Sequence, residues 1–107
     1  MKDLRYLITW KMLRIPPEMA KVALNLLKAS DEYTEKLVKD GIIKELWAYS
    51  DGSGGGCIGE ADSPEAGYKY MMGNPYSPFL EYQVVPLIEF KLASDVAKNT
   101  LQKMIGG

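Results

Sequence analysis

The side chains of this sequence that could move a proton are carboxylates, lysines, tyrosines and one thiol, because the chain contains no histidine. Without histidine, these residues cannot build Ser-His-Asp, Cys-His or zinc-histidine sites. Two carboxylates are the candidate bases, Glu32 on a predicted helix and Glu60 on a short predicted strand. A carboxylate held away from water can take a proton from carbon. The alternative for Glu60 is a solvated carboxylate at a sheet edge.

A second group of residues could line a ligand-binding site. Aromatic side chains on strands supply buried area to a core or a dimer interface, and they can equally line a cavity. Trp47 and Tyr49 share one strand face, but the alternation of residue types does not decide which face that is. A hydroxyl on the inner face of a helix can bind a substrate oxygen. The predicted substrate-binding residues are Tyr6, Trp10, Ser30, Trp47, Tyr49 and Tyr82.

Three further features favour structural roles. The glycine-rich segment 51–56 precedes a predicted strand rather than a helix, so it indicates a flexible hairpin at the rim of a pocket and not a phosphate-binding loop. Cys57 is expected to be a buried and inert thiol. The tyrosines and methionines of residues 68–72 are typical of an adaptable packing surface. We predict no metal site and no cofactor.

The composition limits the class of protein. The 107 residues suit one domain over 1–107, and 47% hydrophobic with 25% charged residues is ordinary for a folded protein. Thirteen Lys and Arg against fourteen Asp and Glu give a net charge of -1, which is a poor match for nucleic acid or an anionic membrane. No uninterrupted apolar stretch has the length of a signal peptide or a membrane span. A single cysteine cannot form an internal disulfide. A cytoplasmic location is the simplest expectation.

Residue periodicity predicts a strand-helix-strand unit written twice. Apolar residues alternate in strands and recur every three or four positions in helices. The order β-α-β-β-α-β is typical of a ferredoxin-like α+β fold, in which both helices cover one face of an antiparallel sheet. The predicted strands span 4–12, 42–50, 56–61 and 80–90, and the predicted helices span 16–41, 63–72 and 93–105.

Single residues refine this outline. Ser63 is a predicted helix N-cap, with Pro64 at the first helical position. Pro86 lacks an amide donor and indicates an edge strand, a bulge or an early strand end. The sheet face opposite the helices also carries apolar residues, so we expect two copies to pair their sheets. Those residues include Leu7, Leu13, Val85 and Leu87.

Several segments resemble one known family. The segments are Leu37 with Asp40-Gly41, Leu46-Trp47, Asp-Ser-Pro-Glu-Ala at 62–66, and Pro-Tyr-Ser-Pro-Phe-Leu-Glu-Tyr-Gln-Val at 75–84. Together with the first strand, they are similar to muconolactone isomerase and its relatives in the dimeric α+β barrel superfamily. The resemblance covers nearly all of the chain except the C-terminal helix.

The resemblance implies a cofactor-independent shift of a double bond in an unsaturated lactone, with a carboxylate base on the first helix. The position of that base falls on Ser30, beside Asp31 and Glu32. The family's strand-one histidine corresponds to about Thr9, and its basic residue after Leu-Trp corresponds to Ala48. The expected partners are a second copy of the chain and a small hydrophobic or lactone-like ligand.

Three hypotheses for function remain open at this point. The first is an isomerase acting on a small lactone or carbonyl compound. The second is a non-catalytic small-molecule binding or assembly module. The third is a cofactor-free oxygenase that holds an aromatic substrate between tryptophan and tyrosine side chains.

Overall fold

The computed structural model describes residues 4–106, which form a four-stranded antiparallel sheet and three α-helices. Short 3-10 turns at Pro17–Met19 and Ser77–Phe79 precede α1 and β4. The sheet order β2-β3-β1-β4 is that of a ferredoxin-like fold, so the predicted α+β fold class is confirmed. The elements are β1 (Leu4–Met12), α1 (Ala20–Lys39), β2 (Ile43–Ala48), β3 (Gly54–Ala61), α2 (Pro64–Met72), β4 (Leu80–Leu87) and α3 (Phe90–Gly106).

Local capping explains where α1 and α2 begin and end. The Ser63 hydroxyl accepts a hydrogen bond of 3.1 Å from the Ala66 amide, as expected of the predicted N-cap. Gly41 has φ of +79°, a conformation that favours glycine, and the Ile42 amide donates to the Leu37 carbonyl across it. Pro86 lies on β4, which is an edge strand, so its missing amide proton costs no central ladder bond.

The glycine segment differs from its prediction. Gly54, Gly55 and Gly56 are buried within β3 rather than in a flexible hairpin. The turn itself is shorter, and Gly52 occupies it with φ of +76°. A Cβ atom added at Gly55 would lie 2.8 Å from Cζ2 of Trp10, and one at Gly56 would lie 2.7 Å from Cζ2 of Trp47. These glycines therefore make room for two indole rings.

The sheet has two different faces. Tyr6 and Trp10 of β1 stand opposite Gly59 and Gly55 of β3, and they lie on the face covered by α1 and α2, which we call the helix side. The odd-numbered positions of β1 project from the other face, which we call the open side. Its apolar residues are Leu7, Ile58, Val85 and Leu87.

The C-terminal helix α3 begins at Phe90, earlier than predicted, because the Ala93 amide already donates to the Glu89 carbonyl at 3.2 Å. Its side chains are exposed except for the half-buried Ser94 and Asp95. The chain measures 64 × 30 × 24 Å, and its radius of gyration of 18.1 Å exceeds the roughly 13 Å of a compact chain this long. The helix thus leaves an apolar stripe uncovered, which includes Val96, Leu101 and Met104.

Candidate functional site

The space between the sheet and helices α1 and α2 is a cavity rather than a filled core. Its volume is about 470 Å³, and its wall is mainly aromatic and aliphatic. The buried apolar residues of the described chain are few: Ala23, Cys57, Ala61 and Tyr76. Protein interiors are normally close-packed, so a void in the place of a core is a feature to explain. Its size and apolar wall are typical of a small-molecule site.

Four of the predicted substrate-binding residues meet at this cavity. Tyr6 and Trp10 reach it from β1, and Tyr82 reaches it from β4 opposite Trp10. Ser30 comes from α1 and is buried, with 7% of its surface exposed. Within residues 4–106 its hydroxyl makes no hydrogen bond to protein, and because no fully buried side-chain oxygen or nitrogen of that range lacks a partner, this hydroxyl is accessible from the cavity. An accessible hydroxyl on an apolar wall can donate to a ligand oxygen.

Trp47 and Tyr49 do not share the cavity as predicted. Trp47 borders it from β2, but its indole packs on the backbone of Gly56, whose position alternates to the open side. Tyr49 lies beyond the end of β2 and is exposed, with its amide bonded to the Gly54 carbonyl in the hairpin. Trp47 is therefore a fifth predicted residue that borders the cavity, whereas Tyr49 lies outside it.

The carboxylates are also placed differently from the prediction. Glu32 and its neighbour Asp31 are both exposed, but of the two only Asp31 lines the cavity. Consecutive helical residues point about 100° apart, so only one of the two can face inward. Glu60 borders the cavity, yet its carboxylate pairs with Arg5 at 3.6 Å and with Lys44 at 3.8 Å. Neither predicted base is therefore a free carboxylate facing the cavity, and Asp31 takes that position.

Two tyrosine hydroxyls of the wall are held by the protein. Tyr33 donates to the Tyr70 carbonyl at 2.8 Å. Ser77 donates its proton to the Met71 carbonyl, so Tyr82 is the donor in its 3.2 Å contact with Ser77. Burial is the main cause that raises the pKa of Tyr82 and of Tyr33, and it keeps both phenols neutral.

Cys57 lies on the cavity wall and is buried, as predicted. Burial raises the pKa of its thiol to about 11. The thiol is therefore neutral at physiological pH and a poor nucleophile.

Sequence reasoning assigned no site role to several wall residues. Tyr33 was part of the apolar stripe of α1, and Tyr70 and Met71 were assigned to a packing surface. These residues do face inward, but they face a cavity rather than a solid core. Tyr76, only 4% exposed, completes the wall from the loop after α2. Periodicity identifies an inward face without showing whether the interior is filled.

Within residues 4–106, no three His, Cys, Asp or Glu side chains come close enough together to hold a metal ion. No helix of the same range has the length and apolar character needed to cross a membrane.

The fold and cavity place the protein in the α+β class built like muconolactone isomerase. The crystal structure of muconolactone isomerase is similar with a TM-score of 0.70, 21% sequence identity, and coverage of 79% of this chain and 88% of that one. At this identity the likeness concerns the fold. Residues 4–101 match the domain of unknown function DUF3303, and the chain belongs to that family. Among curated proteins none matches the chain.

Proposed function

We propose that this protein binds a small, apolar carbonyl compound in the cavity between the sheet and helices α1 and α2. The observation that carries the proposal is the Ser30 hydroxyl, which borders an apolar cavity and makes no hydrogen bond to another residue within 4–106. A ligand oxygen would satisfy this hydroxyl, while the rest of the ligand would cover the aromatic wall. One ligand would therefore provide both the hydrogen bond to Ser30 and the contact with the aromatic wall.

The reaction that this site favours is a double-bond shift in an unsaturated carbonyl compound. In the proposed step, Asp31 takes a proton from the carbon next to the carbonyl, and the electrons move onto the carbonyl oxygen to form a dienolate. Ser30 hydrogen-bonds that oxygen and stabilises its developing charge. Because Asp31 is exposed, its proton exchanges with solvent before Asp31 returns a proton at the far end of the conjugated system, so that atoms and charge balance.

The test of this chemistry is the conversion of α-angelica lactone to its conjugated isomer, followed by proton NMR in heavy water. Wild-type protein should incorporate deuterium at the far carbon faster than a protein-free control. Asp31→Asn should lower the protein-dependent rate at least about 100-fold, since a positioned base contributes roughly 10²- to 10⁴-fold. Glu32→Gln is the matched control and should retain the rate, because Glu32 lies outside the cavity.

Equal isomerisation rates for Asp31→Asn and Glu32→Gln would refute Asp31 as the base.

Lactone binding is measured separately, by titration calorimetry of the wild-type protein and of Ser30→Ala. Loss of this hydrogen bond should weaken binding by about 3- to 10-fold, in line with a net 0.5–1.5 kcal/mol. Ser94→Ala on α3 should have no effect, because Ser94 lies outside the cavity.

A non-catalytic binding module is the second candidate. It is favoured by the ion pairs that occupy Glu60 and by the outward position of Glu32, which leave one carboxylate for proton transfer. Binding of the lactone without any deuterium incorporation would select this candidate over the isomerase.

We further propose that the protein is a homodimer formed through the open side of the sheet. An exposed apolar surface runs from Val85 and Leu87 through Ile88, 68% exposed, to Phe90, 86% exposed, at the start of α3. Monomeric proteins rarely expose apolar patches this continuous. A second copy is the partner that offers the same two surfaces, so that each sheet and each α3 stripe would be covered.

Sedimentation equilibrium at micromolar concentration tests the homodimer. We expect the mass of two chains, and Val85→Glu should shift the protein toward the mass of one. A wild-type monomer under these conditions would contradict the proposal.

A further inference from the structure

The charged residues that border the cavity are all of one sign in the part of the chain that the structure describes. The chain contains thirteen Lys and Arg residues, but in the part that the structure describes none of them lines the cavity. The charged residues that border it are both acidic: Asp31, which is exposed, and Glu60, whose side chain alternates to the open side of the sheet with its register partner Arg5. A ligand that entered with a negative charge would lose water of hydration and would meet no cation in return.

The nearest cations at this wall are already engaged. Arg5 and Lys44 both contact the Glu60 carboxylate, at 3.6 and 3.8 Å. Their side chains remain 56% and 44% exposed, so they are directed toward solvent rather than enclosed with a ligand. Recruiting either of them to a bound anion would break one of the two ion pairs of Glu60.

Neutral donors do not compensate for the missing cation. The protons of Tyr33 and Tyr82 are committed to Tyr70 and Ser77. The amide at the start of α2 that could have faced an anion, that of Ala66, is capped by the Ser63 hydroxyl. Other residues on the wall carry neutral donors, among them Ser30, Thr34 and Tyr6, and these suit a carbonyl oxygen but carry no positive charge to offset that of a carboxylate.

We infer that this site takes an uncharged ligand and discriminates against the corresponding carboxylate. The inference rests on the proposed binding function, and it narrows the ligand to neutral, largely apolar compounds with a carbonyl or similar acceptor. Muconolactone itself carries a carboxylate, so the fold's likeness to muconolactone isomerase does not extend to the charge of the ligand that this wall accommodates.

The experiment compares methyl esters with their free carboxylates on three scaffolds: muconolactone, phenylacetate and 2-naphthoate. Dissociation constants are measured by titration calorimetry at pH 7.5 with the full-length protein. We expect each ester that binds to do so at least 10-fold more tightly than its carboxylate. Equal or tighter binding of the carboxylates would overturn the inference while leaving the binding function intact. Binding of no member of any pair would overturn both.

Charge substitutions separate electrostatics from shape. Thr34 lines the cavity from α1, so Thr34→Lys should improve carboxylate binding relative to ester binding at least 10-fold. Thr100→Lys makes the same change on α3, outside the cavity, and should leave the preference unchanged. If Thr34→Lys does not fold, Asp31→Asn gives the same readout, because it removes the wall's unpaired negative charge. An unchanged preference in the folded variant would overturn the inference.

Discussion

The two tryptophans of the chain lie on opposite faces of the same glycine segment, and the faces differ in what they offer. Trp10 packs over Gly55 on the helix side and forms part of an enclosed cavity wall. Trp47 packs over Gly56 on the open side, where 36% of its surface is exposed. In both places an indole ring packs on a glycine backbone, but the ring lies toward the cavity on the helix side and toward the surface of the chain on the open side.

The difference favours ligand binding on one face and assembly on the other. On the helix side, helices α1 and α2 cover a cavity bordered by the Ser30 hydroxyl and the Asp31 carboxylate. On the open side, the polar pair Arg5 and Glu60 borders apolar strand residues, a composition suited to association of chains. Ligand binding and assembly should accordingly respond to different substitutions.

The largest effect is expected from exchanging the tryptophans for alanine. Trp10→Ala should weaken lactone binding at least 10-fold and lower the free energy of unfolding by about 3 kcal/mol, because it removes a large part of the cavity wall. Trp47→Ala should keep the lactone affinity within about 3-fold and instead weaken the homodimer. Calorimetry and sedimentation on both variants measure the two effects. Equal loss of lactone affinity in both would remove the distinction between the faces.

A smaller effect is expected from adding one methyl group to each glycine. At Gly55 the new Cβ would meet the Trp47 carbonyl oxygen as well as the Trp10 ring, so the backbone would have to shift. We expect Gly55→Ala to lower the free energy of unfolding by about 2 kcal/mol.

At Gly56 the new Cβ meets only the Trp47 ring among its nearest contacts, and this partly exposed side chain can move aside. Gly56→Ala should therefore cost less than about 1 kcal/mol. Urea titrations of both variants make the comparison. A larger cost at Gly56 than at Gly55 would show that the open side is the more rigid face.

A further small effect is the pH dependence of stability that comes from the helix side. The pKa of the Cys57 thiol is raised from 9.0 to about 11 by burial, so the folded state favours the neutral form. The stability from this group is complete below pH 9 and is lost as the pH rises through 11. At pH 10 the loss amounts to roughly 1 kcal/mol.

Urea titrations at pH 8 and pH 10 measure this loss, with Cys57→Ala as the control. The variant should lose less stability over the same interval, although the raised pKa values of Tyr33 and Tyr82 leave a residual alkaline dependence. Identical losses in both proteins would mean that the Cys57 thiol does not contribute.

Much of the fold follows from the sequence because it depends on local patterns. Alternation in 4–12, the cap at Ser63 and the proline at 86 each depend on a few neighbouring residues, and the structure agrees with all three. The burial of Gly54–Gly56 does not follow in this way. It depends on Trp10 and Trp47, which reach the glycines from two other strands.

The residues that line the cavity could be predicted from the sequence better than the carboxylate that borders it. Tyr6, Trp10, Ser30 and Tyr82 reach the cavity because strand alternation and helix periodicity fix the inward positions. Choosing between Asp31 and Glu32 requires the rotation of α1 about its own axis, which packing decides.

The most direct test of the account is a set of nuclear Overhauser contacts between bound α-angelica lactone and the two indole rings. The account predicts contacts from the lactone to the Trp10 ring and none to the Trp47 ring, because the Trp10 indole packs over Gly55 on the helix side and the Trp47 indole packs over Gly56 on the open side. Contacts to the Trp47 ring, or to side chains of α3, would place the ligand on the open side and contradict the assignment of the cavity as the binding site.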